Sequence, residues 1–165
     1  FKQKTAYEIP KRDWSSDVCS SDLQALNLTG IADANVQVML LAVADKLAKS
    51  GTLKLPAIII SPTLTETINQ NGYTGTNIHD DYGYPCSIAI VEAVQATSLT
   101  TDLDKYLTWR ETLIKAFHEQ RLDGDSSVVK CQVIPTNIVE MNAWFNESLF
   151  VSGFNLRIIS RELVR

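Results

Sequence analysis

The chain lacks the sequence motifs that mark most enzymes and cofactor-binding proteins. It has only two histidines and three cysteines. It contains no Cys-x-x-Cys pair, no glycine-rich loop ending in lysine and no Gly-x-Ser-x-Gly elbow. Each of these patterns has a defined chemistry, namely thiol exchange, phosphate binding and nucleophilic hydrolysis. We therefore predict no catalytic residue, no cofactor and no metal ion.

Two further absences concern charge and hydropathy. The net charge of −4 and the pI near 5.1 argue against non-specific binding to nucleic acid, which needs clustered positive charge. No run of 18 apolar residues occurs, so we expect no membrane-spanning helix.

Cys86 and Cys131 each lie in an apolar run, which is typical of reduced core cysteines and favours a reducing compartment.

The N-terminal segment needs separate treatment. Residues 13–23 are similar to one translated reading frame of a common sequencing-library adapter. A natural serine-rich linker is the alternative. We expect residues 1–23 to be a non-native chimeric segment, which is set aside as fusion scars are. Residues 24–165 are then expected to form a single α+β domain.

The hydropathy pattern predicts an α+β fold. We expect a mostly antiparallel sheet of four to five strands, with one main amphipathic helix and shorter helices packed on one face. Apolar alternation indicates strands, and polar stretches rich in glycine and asparagine indicate loops. The predicted order is a strand and short helix (35–49), a strand (55–60), a long exposed loop (63–84), a central strand (85–93), the main helix (about 102–121), a strand (128–134), a short helix or elbow (138–146) and a final strand (150–159).

The main helix carries a stripe of residues at three- and four-residue spacing, which we expect to pack on the sheet. Asp102 is expected to cap its N-terminus. One arginine lies inside the apolar stripe, and a buried arginine must be paired. The stripe consists of Leu103, Leu107, Arg110, Ile114 and Phe117.

Trp109 and Arg110 are the first candidates for a protein interface. Arg110 either extends along the helix edge with only its stem covered or forms a salt bridge to an internal carboxylate or to a neighbouring subunit. Trp109 is either an exposed interface anchor or is covered by a loop of its own chain. The sequence leaves both alternatives open.

Charged residues complete the candidate interface. Arg157, Arg161 and Glu162 lie on the outward face of the last strand. There, charges either block unwanted strand pairing or fix the register of a subunit interface. Asp80 and Asp81, in the predicted loop, belong to the same candidate surface.

The tripeptide His79-Asp80-Asp81 is the tightest cluster of metal-ligand side chains in the sequence. An imidazole with two carboxylates suits a hard or borderline metal. A small-molecule-binding or hydrolytic site at this loop is therefore one alternative function. However, three consecutive residues rarely point at one ion, and no spaced partner ligand occurs nearby. A solvated or capping loop is the preferred interpretation.

The chain also contains five short packing motifs. They are Asp81-Tyr82-Gly83-Tyr84-Pro85, Tyr106-Leu107-x-Trp109-Arg110-Glu111, Gln120-Arg121-Leu122-x-Gly124, Ala143-Trp144 and Leu156-Arg157-x-x-Ser160-Arg161-Glu162. Together they resemble a family of small proteins encoded by bacterial prophages, over about residues 26–162. The element order is similar to that of phage tail-terminator and tail-completion proteins of the lambda type, which form rings that cap the tail tube.

This resemblance implies a structural protein at the head–tail junction of a tailed phage or prophage. It implies a ring-forming homo-oligomer whose partners are the tail-tube protein and the head–tail connector. The implied location is the bacterial cytoplasm during assembly and the virion tail afterwards. The resemblance carries over no catalytic residue. A generic bacterial interaction domain is a further alternative.

Overall fold

The fold is built around a six-stranded sheet in the described part of the chain. The computed structural model describes residues 22–63, 67–69, 79–94, 99–122 and 128–163. None of the helices in these residues is long and apolar enough to cross a membrane. The elements are β1 (Val36–Val38), α1 (Leu41–Lys49), β2 (Ala57–Pro62), β3 (Thr67–Asn69), β4 (His79–Ala93), α2 (Leu99–Phe117), β5 (Val128–Pro135), α3 (Met141–Glu147) and β6 (Leu149–Leu163).

The two longest strands, β4 and β6, form the centre of the sheet. They pair from His79 with Leu163 to Ala93 with Leu149. The strand order is β1-β2-β4-β6-β5, and β3 pairs with the first half of β4. The β1–β2 pairing is parallel, and the other pairings between described strands are antiparallel. The predicted α+β fold with a mostly antiparallel sheet is therefore confirmed. β1 and β5 are the edge strands at the two ends of the strand order, and β3 also pairs with a single described strand, β4.

The core is divided between the two faces of the sheet. Ile58 and Ile60 belong to a larger cluster with α2, whereas Ala57 and Ile59 belong to a smaller cluster with α1 and α3. Successive strand residues point to opposite faces, and both faces of β2 are apolar, so each face needs a cover. The prediction that the helices pack on one face is therefore wrong.

The main helix begins and ends earlier than predicted. It runs from Leu99 to Phe117, and Asp102 lies in its first turn rather than at its cap. Phe117 is buried as predicted, but Leu107 is 37% exposed, so its predicted packing is wrong. The buried side chains among the described residues of the helix are Tyr106, Trp109, Arg110, Leu113 and Phe117.

The buried face of α2 is rotated toward its aromatic residues. The rings of Tyr106 and Phe150 in β6 stack with their centroids 4.2 Å apart. Trp144, from α3, meets Phe150 edge-on at 6.3 Å. Large aromatic side chains contribute most to core burial, and for this reason they set which side of the helix faces the sheet.

Part of the predicted loop at residues 63–84 is strand. β3 pairs with β4 through Ile68 and Tyr82, and β4 begins at His79 rather than at residue 85. The prediction is therefore wrong over residues 67–69 and 79–84, while residues 64–66 and 70–78 lie outside the described residues. Tyr84 packs against the larger cluster on the face that Cys86 and Ile88 continue, so the core pattern extends further toward the N-terminus than the sequence suggested.

The folded unit includes the end of the segment that resembles an adapter. Leu23 is 2% exposed and belongs to the larger cluster, beside Leu28. Residues 1–21 lie outside the described residues. The described core therefore starts before Gln24, the expected first residue of the domain. Cys86 and Cys131 are buried in the same cluster, as the sequence predicted.

Candidate functional site

Trp109 is covered by its own chain. Its side chain is 3% exposed, and its Nε1 donates a hydrogen bond to the carbonyl oxygen of Thr29 at 3.0 Å. Gly30 also lies against the indole ring. The prediction that Trp109 is an exposed interface anchor is therefore wrong, and the alternative of a covering loop is confirmed. The sequence missed this contact because it joins residues far apart in the chain.

Arg110 is 6% exposed, and its guanidinium is bonded within the chain. Nη1 donates to the hydroxyl of Ser152 at 2.9 Å and to the carbonyl oxygen of Gly153, and Nη2 donates to the carbonyl oxygen of Thr136 at 3.2 Å. Burial lowers the pKa of Arg110. The guanidinium is thus neither exposed at the helix edge nor paired with a carboxylate of the described residues. Its role is to fasten α2 to β6 and to the β5–α3 connection.

Arg161 and Asp81 pair across the two central strands. They occupy the same register position of β4 and β6. Nε of Arg161 donates to Oδ1 of Asp81 at 2.8 Å, and Nη2 donates to Oδ2 at 3.1 Å. The hydrogen bond with the Asp81 carboxylate raises the pKa of Arg161. This fork geometry gives both charges a partner within the chain.

The other charged candidates lie on the same pair of strands. Arg157 is half-buried and faces Pro85 in β4, and the backbone of Asp80 pairs with that of Glu162. The side chains of Asp80 and Glu162 lie outside what the structure describes. Because β5 pairs along the outer side of β6, β6 is an inner strand. The interpretation as a charge on an edge strand is therefore wrong for Arg157, which pairs with Gln132 of β5. Arg161 lies one residue beyond the last described β5–β6 pair, Val128 with Ser160.

The His79-Asp80-Asp81 tripeptide lies at the start of β4 and not in a loop. Its backbone is paired with Leu163, Glu162 and Arg161. Within the described residues, no group of three His, Cys, Asp or Glu side chains is close enough to hold a metal ion. The one described carboxylate of the tripeptide, that of Asp81, is held by Arg161.

Exposed apolar side chains fall into two groups along the chain that the sequence analysis missed. All exposed large apolar side chains of the described residues, except Leu107, belong to one of the two. The first, which we call the β1–α1 patch, consists of Val38, Leu40 and Val43. The second, the β5–α3 patch, consists of Ile134, Ile138, Met141 and Phe145, whose exposures run from 45% to 73%.

The two patches follow the two edge strands of the sheet. Val38 ends β1, and Leu40 and Val43 continue from it into α1. Ile134 lies near the end of β5, and the chain continues through Ile138 into α3. Because β1 and β5 occupy opposite ends of the strand order, each molecule carries two different apolar patches associated with opposite edges of one sheet.

A local signal for the β5–α3 patch does exist in the sequence. Met141 and Phe145 are four residues apart, so they share one face of α3. Ala143, which packs into the smaller cluster, is on another face. The seven-residue helix α3 therefore has apolar residues on two faces. One face is buried in the core and the other is exposed. The same holds for α1, where Ala44 is buried and Val43 is exposed.

A cleft of about 270 Å³ lies beside the β5–α3 patch. Ala89, Val151 and Gly153 line it on the sheet side, and the connection from Thr136 to Glu140 lines another side. A Cβ atom on Gly153 would lie 3.2 Å from the carbonyl oxygen of Ile88. The absent side chain therefore permits close strand approach and leaves the cleft open at this point.

The polar atoms at the cleft are mostly engaged within the chain. The Ser87 hydroxyl donates to Oδ1 of Asn155 at 2.8 Å, and the Thr136 hydroxyl donates to the carbonyl oxygen of Gly153 at 2.6 Å. Glu140 is exposed at the rim, where its Oε1 accepts from the backbone N–H of Asn142 at 3.4 Å. The cleft therefore combines an apolar floor with one acidic rim group.

Comparison with known proteins gives no family assignment for this geometry. No family model matches the chain, and no curated protein matches it.

Proposed function

We propose that the protein is a structural component of a tailed phage or prophage, a tail-terminator or tail-completion protein that forms a homo-oligomeric ring on the tail tube. The observation that supports this role most directly is the pair of different apolar patches associated with opposite edge strands of the sheet. The short motifs resemble the prophage family, and the element order resembles lambda-type tail proteins. This resemblance suggests the kind of assembly, a ring on the tail tube.

The arrangement of the patches favours a head-to-tail contact between copies. Single exposed apolar side chains are ordinary, whereas clustered ones mark interaction surfaces. A two-fold dimer uses one patch on both subunits. A contact between two different patches is heterologous, and it generates a ring when the rotation closes. The β1–α1 and β5–α3 patches provide two such different surfaces.

The charged residues also favour a structural role over a hydrolytic one. A catalytic carboxylate needs access to the proton that it transfers. Asp81 is instead held by both nitrogens of a fork from Arg161. The pair locks β4 to β6 at the end of the sheet, where it contributes rigidity rather than chemistry.

Co-expression with a tail-tube protein of a tailed phage tests the role. We expect capped tubes of uniform length by electron microscopy, with a ring of this protein at one end. Met141→Ser combined with Phe145→Ser should abolish capping, since it removes the most exposed part of the β5–α3 patch. Leu107→Ser is the matched control, because Leu107 is exposed on α2, outside both patches. Tubes that the wild-type protein neither binds nor caps would overturn the proposal.

A further inference from the structure

We propose that the cleft beside the β5–α3 patch is the receptor for the β1–α1 patch of a second copy of this chain. Leu40 of one copy enters the cleft of the next, and Lys46 of the first meets Glu140 of the second. The inference rests on the proposed ring, and it names the residues that hold neighbouring subunits together.

One surface carries an exposed apolar side chain, and the other contains a cleft with an apolar floor. Leu40 is 52% exposed, the most exposed residue of the β1–α1 patch, and it stands immediately before the first turn of α1. The cleft offers an apolar floor at Ala89, Val151 and Gly153. An exposed apolar side chain and a pocket elsewhere on the same molecule form a heterologous contact that repeats from copy to copy.

The composition of the cleft favours a protein side chain as its occupant. Ser87 and Asn155 bond to each other, and Thr136 bonds to Gly153, so these groups already satisfy one another. A desolvated apolar centre with a polar rim is the usual anatomy of a protein interface. Ile138 and Met141 are exposed apolar residues that follow the cleft-lining residues Asn137 and Glu140 in the chain.

The charges near the two surfaces are also complementary. Lys46 is exposed and lies three residues after Val43, so both share one side of α1. It forms no ion pair with another described residue, whereas its neighbour Lys49 is held by Asp45 and Glu147 at 2.9 and 3.1 Å. Glu140 likewise forms no ion pair among the described residues. Opposite charges at an interface rim select the partner and its register.

Zero-length crosslinking of isotopically mixed protein tests this contact directly. Equal amounts of ¹⁵N-labelled and unlabelled chain are mixed, alone at high concentration and on tail tubes. They are then treated with a carbodiimide, which joins amines to carboxylates in contact. We expect a Lys46–Glu140 crosslink in which the two peptides carry different labels. Lys115 is the control amine, because it is exposed and paired with Glu111 at 2.6 Å in its own helix.

Variants then test whether the contact holds the assembly together. Lys46→Glu and Glu140→Lys should each weaken self-association about tenfold, since like charges face each other across the interface. The double variant should recover most of the loss. Asn137→Trp, an exposed rim substitution that fills the mouth of the cleft, should abolish association in a folded protein. Lys115→Glu should have no effect.

The outcomes separate this inference from the proposed function. If the protein forms rings but the mixed-label crosslinks avoid Lys46 and Glu140, the contact assigned here is wrong and the ring stands. The same conclusion follows if either charge reversal leaves association unchanged. If the wild-type protein stays monomeric at every concentration and does not bind tail tubes, both proposals are overturned.

Discussion

Arg110 and Thr136 both donate hydrogen bonds to the same carbonyl oxygen, that of Gly153. This oxygen joins the main helix, an inner strand and the β5–α3 connection at one point. Gly153 also lines the cleft. Arg110, which is buried on the α2 side of the sheet, therefore holds the backbone of Gly153, and Gly153 lines the cleft on the opposite side. The exposed surface that we assign to assembly depends on this internal contact.

Replacing Arg110 should destabilise the protein. Arg110→Met removes the three hydrogen bonds of the guanidinium, although the carbonyl oxygen of Gly153 keeps the one from Thr136. The loss should lower the free energy of unfolding by about 2–4 kcal/mol. Arg110→Lys should recover only part of this, because an ammonium lacks the planar fork that reaches several oxygens at once. Urea titration of the variants measures both effects. Arg161→Met, which removes a side chain that is 54% exposed from its pair with Asp81, is the control and should cost less, about 1 kcal/mol. An Arg110→Met protein as stable as the wild type would contradict the fastening role.

The two sides of α2 should respond differently to truncation. Phe117 is almost completely buried and Leu107 is partly exposed. Phe117→Ala should cost about 3–5 kcal/mol because it leaves a cavity. Leu107→Ala should change stability by no more than about 1 kcal/mol. Thermal and urea unfolding of the two variants compares them. Equal losses would mean that the buried face of the helix has been assigned incorrectly.

The elements that local patterns determine were predictable from the sequence. The continuous apolar run at residues 57–60 gives one buried strand, and the alternation of Ile88 and Ile90 with smaller residues gives another. Three- and four-residue spacing gives the main helix. The face of that helix was not predictable, because it is fixed by Phe150, which stacks on Tyr106 from a strand far along the chain. Helical periodicity alone does not say which of several apolar residues has a partner.

The position of the last strand within the sheet also could not be predicted from the local sequence pattern. The charges Arg157 and Arg161 suggested an edge, but β5 pairs outside β6 and places Arg157 inside the sheet, opposite Gln132. The exposure of a side chain depends on its tertiary contacts. Which apolar residues lack a core partner can therefore be read only from the folded structure.

Leu23 should contribute to stability although it ends the segment that resembles an adapter. Its side chain is buried in the larger cluster, so Leu23→Ala should lower the free energy of unfolding by about 2–4 kcal/mol. Leu26→Ala is a suitable comparison, because Leu26 packs against the same cluster but is only partly buried, and it should cost less. A Leu23→Ala protein that unfolds at the wild-type urea concentration would show that residues 22–25 do not contribute to the core.

The stability of the protein should fall steeply in strong alkali because of Tyr106. Burial raises the pKa of its phenol to about 12, and the nearby carboxylates of Asp102 and Glu92 add to this. The ordinary value is about 10. Between these two values, the unfolded chain loses the proton while the folded chain keeps it. The unfolded state then binds fewer protons, so the free energy of unfolding falls as pH rises.

The size of this alkaline effect can be isolated with a single variant. The contribution of Tyr106 is fully present below pH 10 and is lost between about pH 10 and 12, at up to about 1.4 kcal/mol per pH unit. Tyr106→Phe removes the ionisable group and keeps the ring that stacks on Phe150. Other groups titrate in both proteins, so the informative quantity is the wild-type stability minus that of the variant. This difference should be constant up to pH 10 and should then decrease. Urea unfolding at a series of pH values measures it, and ultraviolet titration of the phenolate checks the pKa independently. A difference that stays flat from pH 9 to 12 would mean that Tyr106 ionises as readily in the folded chain as in the unfolded one.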